Sequence, residues 1–324
     1  MNKLSSDTKK TMIQRIITSI ILVVIAIPAV LFGGWFFLAL VAVALSLMIH
    51  EFVNAPAHKA YNPLLHIFIF VMTFSFVFWI FIKNNLATVG TEFSMWSFEN
   101  GFKDIQVSTI GVAVTIFVLF FISLIHTNFK IEDVTYLFSM IVFIGISVQS
   151  LLYLRNVPLY QMSINADFKV NFFSQCSLLI YVVIGSFFSD IGAYFVGLAF
   201  GKNKINPRIS PKKTWEGFIG GALFSTIFSF LFGFLVAYYG HPMLPVLNID
   251  HWYWILLISI IMPLMANLGD FIFSALKRHF NIKDYGTLLR GHGGILDRFD
   301  SLLATSLTVS ILIIFITNGW NFLL

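Results

Sequence analysis

The sequence predicts an all-α polytopic membrane protein, and three observations carry that expectation. Of 324 residues, 58% are hydrophobic and only 11% charged, where a soluble domain carries about 25% charged residues. Mean hydropathy is +0.88. The apolar residues fall in long runs, about nine of which reach or nearly reach the ~20 residues that cross hydrocarbon as a helix. The basic residues flank those runs, as membrane orientation requires.

The runs lie at about 12–32, 35–53, 63–82, 106–126, 134–154, 176–200, 216–239, 252–275 and 302–318. Each is expected to be helical, because unpaired backbone groups are costly in lipid. Gly33-Gly34 separates the first two and predicts a tight hairpin. The first run could pass for a signal peptide, but it lacks a small-residue cleavage site and a second run follows at once, so it reads as retained.

Charge sets the orientation. With nine spans and a cytoplasmic N-terminus, only Lys83, Lys103, Arg155 and Lys169 face outward, and the other sixteen of 20 Lys and Arg face the cytoplasm. The C-terminus then lies outside. The net charge of +5 is a matter of topology, not of nucleic-acid affinity. Cys176 stands alone and excludes an internal disulfide. The outer loops, about 83–105 and 155–175, carry mixed charge and no motif, and read as connectors. Residues 1–175 hold about five spans expected to be scaffold, dimer contact or lipid-facing surface. Residues 176–324 hold about four spans and both charge-rich loops, and are expected to be catalytic.

Charge is expensive in hydrocarbon, so a charge cluster at a membrane boundary marks a site. Asn267 to Ser301 is such a cluster, with Asp270, Asp284, Asp297 and Asp300 among three Arg, two Lys and two His. Carboxylates beside cations suit the holding of divalent metal against phosphate oxygens. Asp270 shares a helical face with Ser274, Lys277 and Arg278. It reads either as a metal ligand or as an interfacial ion pair. Asp297 and Asp300 share a face at i, i+3. Asp300 could equally complement a helix dipole. The glycines around His292 permit close backbone approach and an anion-binding nest. His292 itself reads as phosphate donor, proton shuttle or loop hydrogen-bonder.

Two further pieces matter. In the sixth run Gly185, Ser189, Gly192 and Gly197 lie near one face, which lets helices approach closely. Asp190 sits beside them, as a site wall or as a carboxylate bonded to a neighbouring helix. The loop after that run, with five cations between Lys202 and Lys213, leads into a helix whose expected cap is Ser210. Such a loop suits phosphate or anionic lipid head groups. There is no Ser-His-Asp signature, no zinc-type Cys pair, no P-loop and no nucleophile with a base beside it.

The run from Ser274 to Ser301, S-A-L-K-R-x4-K-D-x-G-x3-R-G-H-G-G-I-L-D-R-F-D-S, resembles the signature of the phosphatidate cytidylyltransferases (CDP-diacylglycerol synthases). S-D-I-G-A-Y, F-G-K and S-P-K-K-T-W-E-G-F-I-G-G are similar to other blocks of that family. The resemblance covers about 185–301, and the first five spans match only as generic membrane helices. Two positions depart from the family's usual residues: Arg290 stands where Pro is common and Asn267 where Gln is common. The resemblance implies that CTP and phosphatidate give CDP-diacylglycerol and pyrophosphate. It implies a magnesium requirement with a second, monovalent cation such as K+, an all-helical fold and a homodimer.

On that reading Asp270 and Asp297 are the expected metal ligands, with Asp190 and Asp300 as further ones. Lys277, Arg278 and His292 join Asp270 and Asp297 in the catalytic set. Lys212, Lys213, Lys277, Arg278, Lys283 and Arg298 are expected to hold phosphates. Ser210, Thr214, Gly291, Gly293 and Gly294 shape the nucleotide pocket. The site is expected at the cytoplasmic edge of the bilayer, which is the inner membrane if the protein is bacterial. The alternatives are a CTP-dependent lipid kinase and an ion-coupled transporter. The latter often shows repeated halves, and none are found here.

Overall fold

The computed structural model describes residues 6–56, 61–83, 105–165, 168–169, 171–288 and 293–318. Among them are nine helices: α1 (Ser6–Phe32), α2 (Gly34–Asn54), α3 (Pro63–Lys83), α4 (Ile105–Ile125), α5 (Ile131–Ile164), α6 (Ser174–Phe200), α7 (Trp215–Tyr238), α8 (Trp252–His279) and α9 (Leu296–Asn318). Each coincides with one expected apolar run. Six of them, α2 and α5 to α9, are long and apolar enough to cross a membrane. The protein is a multi-pass membrane protein.

Sequence details account for several boundaries. Gly33 and Gly34 sit at φ +64° and +51°, in the left-handed region where glycine is free of strain, so α1 turns straight into α2. Asn281, at φ 57°, ends α8 in the same region. Pro263 lies inside α8 and cannot donate to the carbonyl of Ser259 four residues back. Thr226 on α7 donates to that carbonyl at 3.1 Å, so the freed acceptor is satisfied inside the bundle.

One expected boundary needs correction. Residues 155–164, assigned to an outer loop, continue α5 instead. Arg155 explains this: its buried guanidinium donates to Val30 O at 2.7 Å, Leu31 O at 3.2 Å and Gln175 O at 3.1 Å. It satisfies carbonyls at the end of α1 that no helical N–H reaches. One short hairpin is inserted in the otherwise helical fold. Strands β1 (Lys204–Asn206) and β2 (Ser210–Thr214) pair antiparallel between α6 and α7.

α6 packs most extensively on α7, and α8 on α9 and α7. A Cβ on Gly192 would fall 2.6 Å from Phe224 Cβ and 3.0 Å from Gly221 Cα, so the small residues let α6 and α7 meet backbone to backbone. The hydrophobic core runs through both halves of the chain, from Leu45 and Phe52 on α2 to Phe273 on α8 and Leu303 on α9.

Candidate active site

The site lies at the end of the bundle where α6 and α8 finish and α7 and α9 begin. Glu216, in the first turn of α7, fastens the β1–β2 hairpin there. Its carboxylate accepts from Lys202 N at 3.1 Å, Asn203 N at 3.2 Å and Asn203 Nδ2 at 2.7 Å. From the other side, Arg278 Nε donates to Ile209 O at 3.2 Å. The expected cap, Ser210, does not start the helix. Register pairs Asn206 with Ser210 and Lys204 with Thr214, so residues 210–214 are strand and Thr214 caps α7, accepting from Gly217 N at 3.2 Å. Pro211 is tolerated because a two-stranded hairpin leaves one side unpaired.

A cavity of about 450 Å³ opens between α6, the hairpin, α7 and α8. Asp190, Lys212, Lys213, Thr214, Asn267 and Asp270 line it. Lys213 is ion-paired with Asp270, and its Nζ stands 4.3 Å from the Phe271 ring centroid. Ser274 donates to Asp270 Oδ1 at 3.3 Å. Ser301 on α9 donates to Asp190 Oδ2 at 3.4 Å, and Asn267 Nδ2 to Ser189 Oγ at 3.0 Å. Asp190, Asp270 and the buried Asp300 lie within electrostatic range of one another.

Behind this cavity lies a second cluster. Lys277 Nζ donates to Asp297 Oδ1 at 2.7 Å, and Tyr285 N and Gly294 N donate to Asp297 Oδ2 at 2.8 and 2.9 Å. Lys277 therefore turns to Asp297, and Asp270, which shares a helical face with Lys277 and Arg278, pairs instead with Lys213. Burial, with Tyr136, Asp297 and Asp300 nearby, pushes the Tyr285 hydroxyl well above its usual pKa and keeps it protonated. Of the expected nest, residues 290–292 lie outside the described residues; Gly294 N goes to Asp297, and just beyond it Ile295 N and Leu296 N go to Glu51. Gly293, at φ +82°, makes the turn that brings them there.

Other expected residues do not line the cavity. Arg278 is spent on the Ile209 and Ile282 carbonyls. Lys283 and Arg298 are exposed, and Arg298 stands within electrostatic range of Asp190. Gly291 and His292 lie outside the described residues.

The model of the cytidylyltransferase family matches residues 13–316. The chain belongs to the cytidylyltransferase family. It is 30% identical to the phosphatidate cytidylyltransferase of Staphylococcus saprophyticus over 302 residues, covering 93% of this chain and 98% of the relative. That of Staphylococcus aureus (strain COL) is 30% identical over 303 residues, with the same coverage. The Bacillus subtilis phosphatidate cytidylyltransferase is 35% identical over 212 residues, 65% of this chain and 69% of the relative.

Family membership makes a divalent cation a question for the geometry. Of the four carboxylates Asp190, Asp270, Asp297 and Asp300, Asp270 is paired with Lys213 and Asp297 with Lys277. Among the described residues no three acids, His or Cys form a closed metal cage. Magnesium characteristically binds through one or two carboxylates with phosphate oxygens completing its shell, so this donor set fits. Asp190 and Asp270 are the pair that the cavity exposes.

Sequence reasoning missed Glu51 on α2, whose carboxylate accepts from Ile295 N and Leu296 N, both at 2.8 Å. The signal was present: an acid inside an apolar run, the same cue that singled out Asp190.

Proposed function

We propose that the protein transfers the cytidylyl group of CTP to phosphatidate. The observation that carries this reading is the convergence of Lys212 and Lys213 with Asp190 and Asp270 around one cavity at an end of the helical bundle. The names of the relatives supply the substrates.

A phosphatidate phosphate oxygen attacks the α-phosphorus of CTP in line. The bond from that phosphorus to the bridging β-oxygen breaks, and pyrophosphate leaves with its electron pair. CDP-diacylglycerol is the other product. No proton needs abstraction from an ionised phosphate, so positioning and charge neutralisation carry catalysis. Lys212 and Lys213 hold phosphate oxygens as point charges. Thr214 and the N-terminus of α7 add a neutral anion-binding edge. Asp190 and Asp270 would hold magnesium, which when bound neutralises charge on the transferring and leaving phosphates. Asp300 adds negative potential behind them. Asp297, whose two oxygens accept from Lys277, Tyr285 N and Gly294 N, holds the α8–α9 connection behind the cavity.

In this reading the chain has nine spans and a cytoplasmic N-terminus. The site then faces CTP in the cytoplasm while the acyl chains stay in lipid, and the protein forms a homodimer. The test is purified protein in detergent with phosphatidate, labelled CTP and magnesium, with and without K+, and mass analysis of the lipid. Magnesium-dependent CDP-diacylglycerol with equimolar pyrophosphate is the expected result. A phosphorylated lipid with CDP, or no product, would overturn the reading.

A further inference from the structure

We infer that Glu51 is a positioning residue for the reaction: it holds the segment entering α9, and through it Asp297, in register with the cavity. The inference rests on the functional reading above.

Glu51 lies in the last turn of α2 and is buried. Its two oxygens divide between two donors, Oε1 from Ile295 N and Oε2 from Leu296 N, each at 2.8 Å. These N–H groups stand at the start of α9, where no helical carbonyl reaches them, and a carboxylate is favoured there by the helix dipole. The fit is close. A Cβ on Gly294 would fall 2.6 Å from Glu51 Cδ, and one on Gly286 2.7 Å from Oε1. Gly294 N is also a donor to Asp297, so adjacent amides connect the two acids. The end of α2 is itself fixed, since Tyr136 donates to Phe52 O at 2.8 Å and Tyr136 packs on Phe280 with ring centroids 4.6 Å apart. Glu51 thus ties α2 directly to the segment entering α9, and it is not among the residues that line the cavity.

Both Glu51 oxygens must accept. Glu51→Gln keeps the shape but turns an amide against one N–H. Glu51→Asp keeps the charge but is one methylene short. The experiment measures kcat and KM for CTP, Tm, and hydrogen–deuterium exchange across residues 293–300 in wild type, both variants and Leu45→Ala. Leu45 is buried on the same helix and serves as a control for packing loss alone. For Glu51→Gln we expect kcat to fall at least about tenfold with KM nearly unchanged, since a displaced group costs rate more than binding. Exchange at residues 295 and 296 should quicken, and Glu51→Asp should recover part of kcat. Leu45→Ala should lose Tm while keeping kcat. A wild-type kcat in Glu51→Gln, or an equal kcat loss in Leu45→Ala at matched Tm, overturns the assignment. A wild type that makes no CDP-diacylglycerol overturns the functional reading and this one with it; an active wild type with an indifferent Glu51→Gln overturns this one alone.

Discussion

Lys277 and Asp297 close the inner wall of the site, their Nζ and Oδ1 2.7 Å apart with side chains only 10% and 4% exposed. The lysine sits in the last turn of α8 and the aspartate in the first turn of α9, so each charge also complements the dipole of its own helix. The pair binds two helices whose ends carry the acids of the site.

Asp297→Asn should therefore abolish turnover and also cost stability. The amide strands Lys277 and presents an NH2 to one of its three donors. Removing one partner of a buried pair costs about 3–5 kcal/mol, and retained shape should place this variant at the low end. The check is a double-mutant cycle with Lys277→Met, read by thermal melts in detergent. A coupling of about 1–3 kcal/mol is expected, with activity absent in all three variants.

Lys213 makes a different prediction. Its pair with Asp270 is about a quarter exposed and lies in the cavity, so its loss should weigh on chemistry more than on folding. Lys213→Ala should lower kcat/KM for CTP by about 10²-fold with a small Tm change. Wild-type kinetics would remove Lys213 from the phosphate-binding set.

How much of this was legible in the sequence differs by interaction range. The helices were, because apolar runs report burial in lipid directly. Asp190, Lys212, Lys213 and Asp270 were legible as chemistry in the wrong place, and the structure gathers them in one cavity. Partner choice was not legible. Helical spacing put Lys277 and Arg278 on the Asp270 face, but α9 brings Asp297 to Lys277 and the hairpin brings Lys213 to Asp270. Ser210 looked like a cap because Pro211 follows it, yet cross-strand pairing made it strand. Glu51 was hidden by distance: its partners lie 244 and 245 residues away.

Gly269 offers a packing test beside the acids. A Cβ there would meet Ala304 Cβ at 2.6 Å and Asp300 O at 2.7 Å. Gly269→Ala should push α8 from α9 and shift Asp270 against Asp300. A loss of about 1–3 kcal/mol is expected from overpacking, with kcat reduced. Adding Ala304→Gly should recover part of both, because it removes the side-chain clash and leaves the carbonyl one. No recovery in the double variant would mean that the carbonyl alone sets the spacing.

Arg155 supplies the contrasting case, at the opposite end of the bundle. Its guanidinium reaches three carbonyls on two segments with three different nitrogens, and it fills the space beside Gly33, where a Cβ would fall 2.7 Å from its Cζ. A lysine carries one compact ammonium and cannot span that fan. Arg155→Lys should leave at least one buried carbonyl without a donor, at about 1–3 kcal/mol each. The loss should appear in Tm and in the yield of folded protein. The molecules that fold should keep wild-type kcat and KM for CTP, since no cavity residue touches Arg155. Titrating active sites in the purified variant separates the two effects: an unchanged rate per active molecule is expected, and a lower one would show that the α1–α2 hairpin is mechanically coupled to the chemistry.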